Sequence, residues 1–267
     1  MIFAASNIGL PAHDHEGFLG ELAACGVRGL EVAPSRVWRD TSGIANADVA
    51  AYRRAVEGAG LEVIGLHSLF FDRPDLGLFR AADRRRESLE FLVHLSGICR
   101  DLGGRTLIWG GGRRRGSVSK AEAFDEAVNF VGDLCTRIDS HGTSLCFEPL
   151  GPADSDFINS VQDVLAIVEA VGHRRFAIQL DAKALYENGE DDAKAFSAVS
   201  GRLVHFHANQ PGLLSLDEGP VNHSSLGACL RRIGYNGFVS IEQRLTDEAD
   251  PMKAMRRSVS VLKSCYT

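Results

Sequence analysis

Leu203-Val204-His205-Phe206-His207-Ala208-Asn209 decides the fold of this chain. As a strand, it sends His205 and His207 to one face and Val204 and Phe206 to the other. The same alternation occurs in three neighbouring segments. Leu145-Cys146-Phe147-Glu148 groups Cys146 with Glu148, Ile178-Gln179-Leu180-Asp181 groups Gln179 with Asp181, and Val239-Ser240-Ile241-Glu242 groups Ser240 with Glu242. Each segment has one apolar and one polar face, and each ends in a potential metal ligand. Together the four ends offer Glu148, Asp181, His207 and Glu242, three carboxylates and an imidazole.

Outward from these segments, strand-like and helix-like runs alternate along the whole chain. Strands are expected at Ile2–Asn7, Gly29–Ala33, Glu62–His67 and Thr106–Trp109, followed by the four segments above. Helices are expected at His15–Cys25, Asp48–Ala59 and Asp83–Leu102, and from Ser119, which has capping-box spacing with Glu122. A further helix starts near Ser160 and Asp163, then others lie near Asp191–Val199 and Ser224–Ile233, and Pro251–Cys265 is the last. Steps of about 30 residues between the ligand candidates match single βα units. No linker or low-complexity tract divides the chain, so residues 1–267 are expected to form one (β/α)8 TIM barrel. A doubly wound open sheet would not readily bring four consecutive strand ends to one point, whereas a barrel gathers them at its C-terminal mouth. Cys146, Gln179, His205 and Ser240 would form the layer beneath, where metal sites carry supporting polar groups. The competing reading is a barrel core that merely contains polar residues.

The composition restricts the partners. A net charge of -6 argues against a nucleic-acid surface, which needs clustered cations. The six cysteines show no CxxC spacing and sit mostly among apolar residues, as reduced, buried thiols do in a cytosolic protein. No run approaches the roughly 20 apolar residues of a membrane helix. The stretch Met1–Asn7 reads as a first strand rather than a signal peptide. The expectation is a soluble, cytoplasmic chain.

These segments resemble the sugar isomerase/epimerase superfamily of xylose-isomerase-like barrels, which includes tagatose 3-epimerases, hydroxypyruvate isomerases, inosose dehydratases and type IV endonucleases. The resemblance spans nearly the whole chain. It is carried by Cys-Phe-Glu148-Pro-Leu, Gln-Leu-Asp181, His-Phe-His207 and Gly-Phe-Val-Ser-Ile-Glu242, with Gly29-Leu-Glu31-Val-Ala-Pro, Gly65-Leu-His67 and Gly234-Tyr235-Asn236-Gly237 in support. It implies that Glu148, Asp181, His207 and Glu242 hold one divalent metal. Three oxygens and one nitrogen suit Mn²⁺ or Mg²⁺, with Co²⁺ or Zn²⁺ as alternatives. It also implies proton transfer beside a carbonyl through an enediolate, with Glu148 and Glu242 facing each other across a small sugar substrate. Two family features differ here. Ala184 stands where many epimerases have a histidine, and Ala208–Glu218 contains no basic residue where many have an arginine.

Other groups complete the expected site. Gly110-Gly-Gly-Arg113-Arg-Arg115-Gly116 could hold an anionic group on the substrate through Arg113 and Arg115, or form a solvated basic loop. Glu31 and His67, at strand ends, are expected to touch substrate. Asp154 is a weaker candidate, and Lys183 either binds an anion or pairs with Glu187. The apolar loop Ser68–Phe79 reads as a lid or a homodimer contact. The leading function is a metal-dependent sugar isomerase or epimerase. A keto-inositol dehydratase would use the same enediolate chemistry, a non-catalytic sugar-binding barrel is a third reading, and a type IV-like nuclease lacks its extra ligands and basic track.

Overall fold

A computed structural model describes residues 1–267. Its eight parallel strands are β1 (Ile2–Ser6), β2 (Gly29–Val32), β3 (Glu62–Leu66), β4 (Thr106–Trp109), β5 (Ser144–Phe147), β6 (Phe176–Asp181), β7 (Leu203–Ala208) and β8 (Phe238–Ile241). They close in sequence order into a barrel. The seam pairs Ile2 with Phe238 and Ala5 with Ile241. Next to the seam, the register sets Asp181 opposite His207 and His207 opposite Ser240. The expected (β/α)8 barrel is thus the observed fold.

The helices that cover the barrel are α1 (Leu19–Ala24), α2 (Asn46–Gly58), α3 (Ala82–Leu102), α4 (Lys120–Ile138), α5 (Val161–Val171), α6 (Ala182–Asn188), α7 (Ala193–Ala198), α8 (His223–Arg232) and α9 (Met252–Cys265). In α4, Ala123, Ala127, Phe130, Val131, Leu134 and Ile138 recur at three- and four-residue spacing and are buried, so one stripe packs inward. Ser119 and Glu122 cap that helix reciprocally, and Ser160 and Asp163 do the same for α5. Helix α3 stops at Gly103, whose φ of 92° suits a residue without a Cβ.

Two expectations change. The first helix is a short α1 preceded by a 3₁₀ turn at Glu16–Phe18. After β6 there are two helices instead of one, because the Asp181 carboxylate accepts the Ala184 N–H at 2.7 Å and caps α6 directly at the strand end. The loop after β3 is also less open than a lid. Leu69, Phe70, Leu76 and Leu78 are buried, and only Phe71, at 78%, is strongly exposed. All six cysteines are free, four of them buried. No helix is long and apolar enough to cross a membrane.

Candidate metal centre at the barrel mouth

The C-terminal strand ends bring Glu148, Asp181, His207 and Glu242 together, each offering one ligand atom within 4.8 Å of the others. His207 Nδ1 is the hub. It lies 3.0 Å from Glu148 Oε1, 3.5 Å from Glu242 Oε2 and 3.7 Å from Asp181 Oδ2. Strand geometry explains the convergence, since Asp181 and His207 are register partners and Glu148 and Glu242 directly follow β5 and β8.

The supporting groups come mostly from the next layer down. Gln179 Nε2 donates to Glu148 Oε1 at 3.0 Å, and Ser240 Oγ donates to Glu31 Oε2 at 2.9 Å. Glu31 Oε2 also lies 3.0 Å from His207 Nε2. A carboxylate on one ring nitrogen fixes the tautomer and turns the other toward the ligand cluster. Glu31 is fully buried, so the expectation that it touches substrate gives way to a position beneath His207. His205 Nε2 is 3.1 Å from the other Glu31 oxygen, at an angle that satisfies neither atom's hydrogen bond. Cys146 lies in this layer without touching the quartet; its thiol approaches only the Ser144 carbonyl. His67, also expected to touch substrate, is 2% exposed. It is engaged by Ser6 Oγ at 2.5 Å and by Glu242 Oε1 at 3.3 Å.

Asn209 was not singled out in the sequence. Its amide donates to Asp181 Oδ2 and, at 2.8 Å, to Glu242 Oε2, while its carbonyl oxygen accepts the Lys183 N–H at 2.8 Å. It therefore ties two carboxylates from β6 and β8 to one amide. The available signal was its place two residues after His207, on the same face.

The electrostatics follow from crowding acids out of water. Burial pushes Glu148 up to about 7, reinforced by Asp181 and Glu242 and opposed by His207. Burial also opposes ionisation of Glu31 and Glu242, but the facing histidines outweigh it and hold both low. Burial disfavours the His207 cation too, yet Glu31, Glu242, Asp181 and Glu148 carry it well above the usual imidazole range. Glu148, Asp181 and Glu242 crowd three carboxyl groups around His207 Nδ1, and a divalent cation there would relieve their mutual repulsion.

The arginine loop differs from its expected role. Arg113 is buried, at 1% exposure. Its guanidinium donates to the carbonyls of Gly110 at 2.8 Å, Phe157 at 3.3 Å and Glu148, and stacks 4.7 Å from the Phe147 ring centroid. Arg115 donates to the carbonyls of Val118 and Asp156. Both arginines thus hold backbone, Arg113 sharing the Phe157 carbonyl with Ser155 Oγ, which donates to it at 3.1 Å. Lys183 pairs with Asp154 and lies 3.8 Å from Glu187, so these two candidates face each other. Beside the quartet, a cavity of about 420 Å³ opens between the loops after β3, β4 and β5.

With this geometry in place, comparison gives the family. The chain belongs to the xylose isomerase-like TIM barrel family, whose model matches residues 19–265. It is 25% identical over 128 residues to a D-psicose 3-epimerase from Ruminiclostridium cellulolyticum, a match covering 47% of this chain and 43% of that protein. The chain thus aligns with less than half the length of that epimerase. A provisionally named hydroxypyruvate isomerase from Streptomyces coelicolor is 25% identical over 221 residues, 79% of each chain. The crystal structure of a 3-keto-D-glucoside 4-epimerase from E. coli superposes with a TM-score of 0.85, covering 99% of this chain and 100% of that one at 18% identity.

Proposed function

We propose that the chain is a divalent-metal-dependent isomerase or epimerase of a small sugar or sugar derivative, moving a proton at a carbon beside a carbonyl. The observation that carries this reading is that Glu148 and Glu242 converge on the same His207 nitrogen, 3.0 and 3.5 Å away, with Asp181 beside them. The donor set fits a hard or borderline cation, with Mn²⁺ or Mg²⁺ favoured and Co²⁺ or Zn²⁺ as alternatives. A divalent ion held there would supply Lewis acidity toward the substrate's carbonyl oxygen as negative charge develops.

The protein's own groups do the rest. Glu31 holds His207 with Nδ1 facing the carboxylates, Gln179 fixes Glu148, and Asn209 keeps Asp181 and Glu242 together. Glu148 and Glu242, supplied by strands on different sides of His207, would remove a proton from one face of the substrate carbon and return one. The names of the matched psicose epimerase and hydroxypyruvate isomerase support proton transfer beside a carbonyl. Asp154 and Lys183 are retained as candidate contacts at the mouth.

The test is solvent exchange. Ketoses incubated in D₂O with Mn²⁺-loaded protein should gain deuterium at one carbon beside the carbonyl, read by NMR after the metal is removed. Glu148→Gln and Glu242→Gln should each stop it. Tight binding of every ketose tried, with no exchange in any, would instead define a sugar-binding barrel.

A further inference from the structure

We propose that the cavity beside the quartet holds an anionic group of the substrate, a terminal phosphate or carboxylate, through Arg80 and Arg114. This rests on the isomerase reading for the remainder of the substrate. The charged side chains lining the cavity are Arg80, Arg114 and Asp154, and Asp154 is already paired with Lys183. Neither arginine has a carboxylate within ion-pair distance. Arg80 makes one hydrogen bond, to the Pro74 carbonyl at 3.2 Å, and Arg114 one, to the Ala153 carbonyl. A guanidinium has five N–H donors, so most remain free for a ligand. The contrast within the same segment is sharp: Asp75 and Glu87 are both taken by Arg73 and Arg84, and Arg80 between them is left without an acid.

The cavity also communicates with the proposed chemistry. Gly110 lines it, and a Cβ on Gly110 would collide with Glu148 Oε2. A substrate carbon near Glu148 could therefore carry a tail into the cavity. The two arginine-bearing loops are joined by Leu78 N–H donating to the Gly112 carbonyl at 3.3 Å, and Leu76 and Leu78 are fully buried, which fixes the loop bases. The loop after β7, residues 209–218, contains no cation, and Lys183 is already paired with Asp154, so Arg80 and Arg114 are cations at the mouth without an acid.

Two measurements on Mg²⁺-loaded, full-length protein test the assignment. In the first, inorganic phosphate is titrated while arginine Nε–H NMR signals are followed, with Arg80→Gln and Arg114→Gln providing assignments. Both signals should shift. In the second, calorimetry compares ketoses in neutral, 6-phosphate and C6-carboxylate forms. One anionic form should bind about 10- to 100-fold more tightly than its neutral parent, the range of a charge-assisted hydrogen bond. The Arg80→Gln/Arg114→Gln double variant should erase that gap and leave neutral binding unchanged. The preferred anion identifies the group. Unshifted arginine signals, equal binding of neutral and anionic forms, or equal loss of both in the double variant would each overturn the proposal. Shifted signals and an anion preference without any deuterium exchange would uphold the cavity and remove the isomerase reading. Exchange on neutral ketoses with silent arginines would do the reverse.

Discussion

Replacing Arg113 separates a buried clamp from an anion-binding loop. In Arg113→Lys the cation stays buried but the planar fork is lost, and one ammonium cannot serve three carbonyls spread over Gly110, Phe157 and Glu148. Ser155 Oγ still serves the Phe157 carbonyl, so a lysine that keeps one of the other two leaves one carbonyl unpaired, at about 2 kcal/mol, within the roughly 1–3 kcal/mol of a buried group. Arg113→Met loses all three bonds and the stacking on Phe147, but it also removes a costly buried charge. Burial pushes the Arg113 guanidinium down to about 10 from 12.5, so relief of about 3 kcal/mol offsets most of the loss and leaves about 1 kcal/mol. The lysine variant should therefore be the less stable of the two, against the usual ranking of conservative changes. Equilibrium urea unfolding at pH 7 measures both, and deuterium exchange should slow in Arg113→Lys because the Glu148 carbonyl loses its anchor. Near-wild-type stability in both variants, with affinity lost only for anionic sugars, would refute the clamp and restore the solvent-facing role first expected for this loop.

The other expectations are shorter. Asp181→Ala and His207→Ala should each lose the bound equivalent of Mn²⁺ by elemental analysis, and full retention in both would place the metal elsewhere. Asn209→Ala should weaken Mn²⁺ binding by about 10- to 100-fold in calorimetry, as removal of ligand-supporting groups does, without changing the circular dichroism; unchanged affinity would make its two carboxylate contacts incidental. Burial holds His15 and His223 down to about 4, where they bond Tyr52 and Tyr266. The unfolded chain therefore takes up protons first, so stability is full above pH 6.5 and falls as the pH drops toward 4, by about 3 kcal/mol per histidine. The urea midpoint of a His15→Gln/His223→Gln variant should show a flatter acid limb than wild type, and identical limbs would contradict this account.

How much of this was legible in the sequence depends on range. Alternation in the segments ending at Glu148, Asp181, His207 and Glu242 located the strands and their shared face, because side-chain direction in a strand is a local property. The barrel followed from eight regularly spaced units. What the sequence hid depends on contacts between distant residues. Glu31 sits 176 residues before its partner His207, and its place beneath the mouth, not on it, depends on register across the barrel. Arg113 carries the same charge as Arg114, and distant groups, the carbonyls of Glu148 and Phe157 and the Phe147 ring, turn it inward. Asp181 was legible as a ligand candidate but not as the cap of α6, since that role uses its second oxygen.

The Glu31–His207 bond has a consequence for folding. It links β2 to β7 through the barrel interior, and Ser240 of β8 joins the same oxygen. The proposed ion would thus be gripped fully only after the β1–β8 seam has shut. A ligand that binds only the closed form stabilises it by mass action. Added Mn²⁺ should then slow chiefly the opening of that seam, so the proposed ion would act as a latch between the two strands farthest apart in the chain.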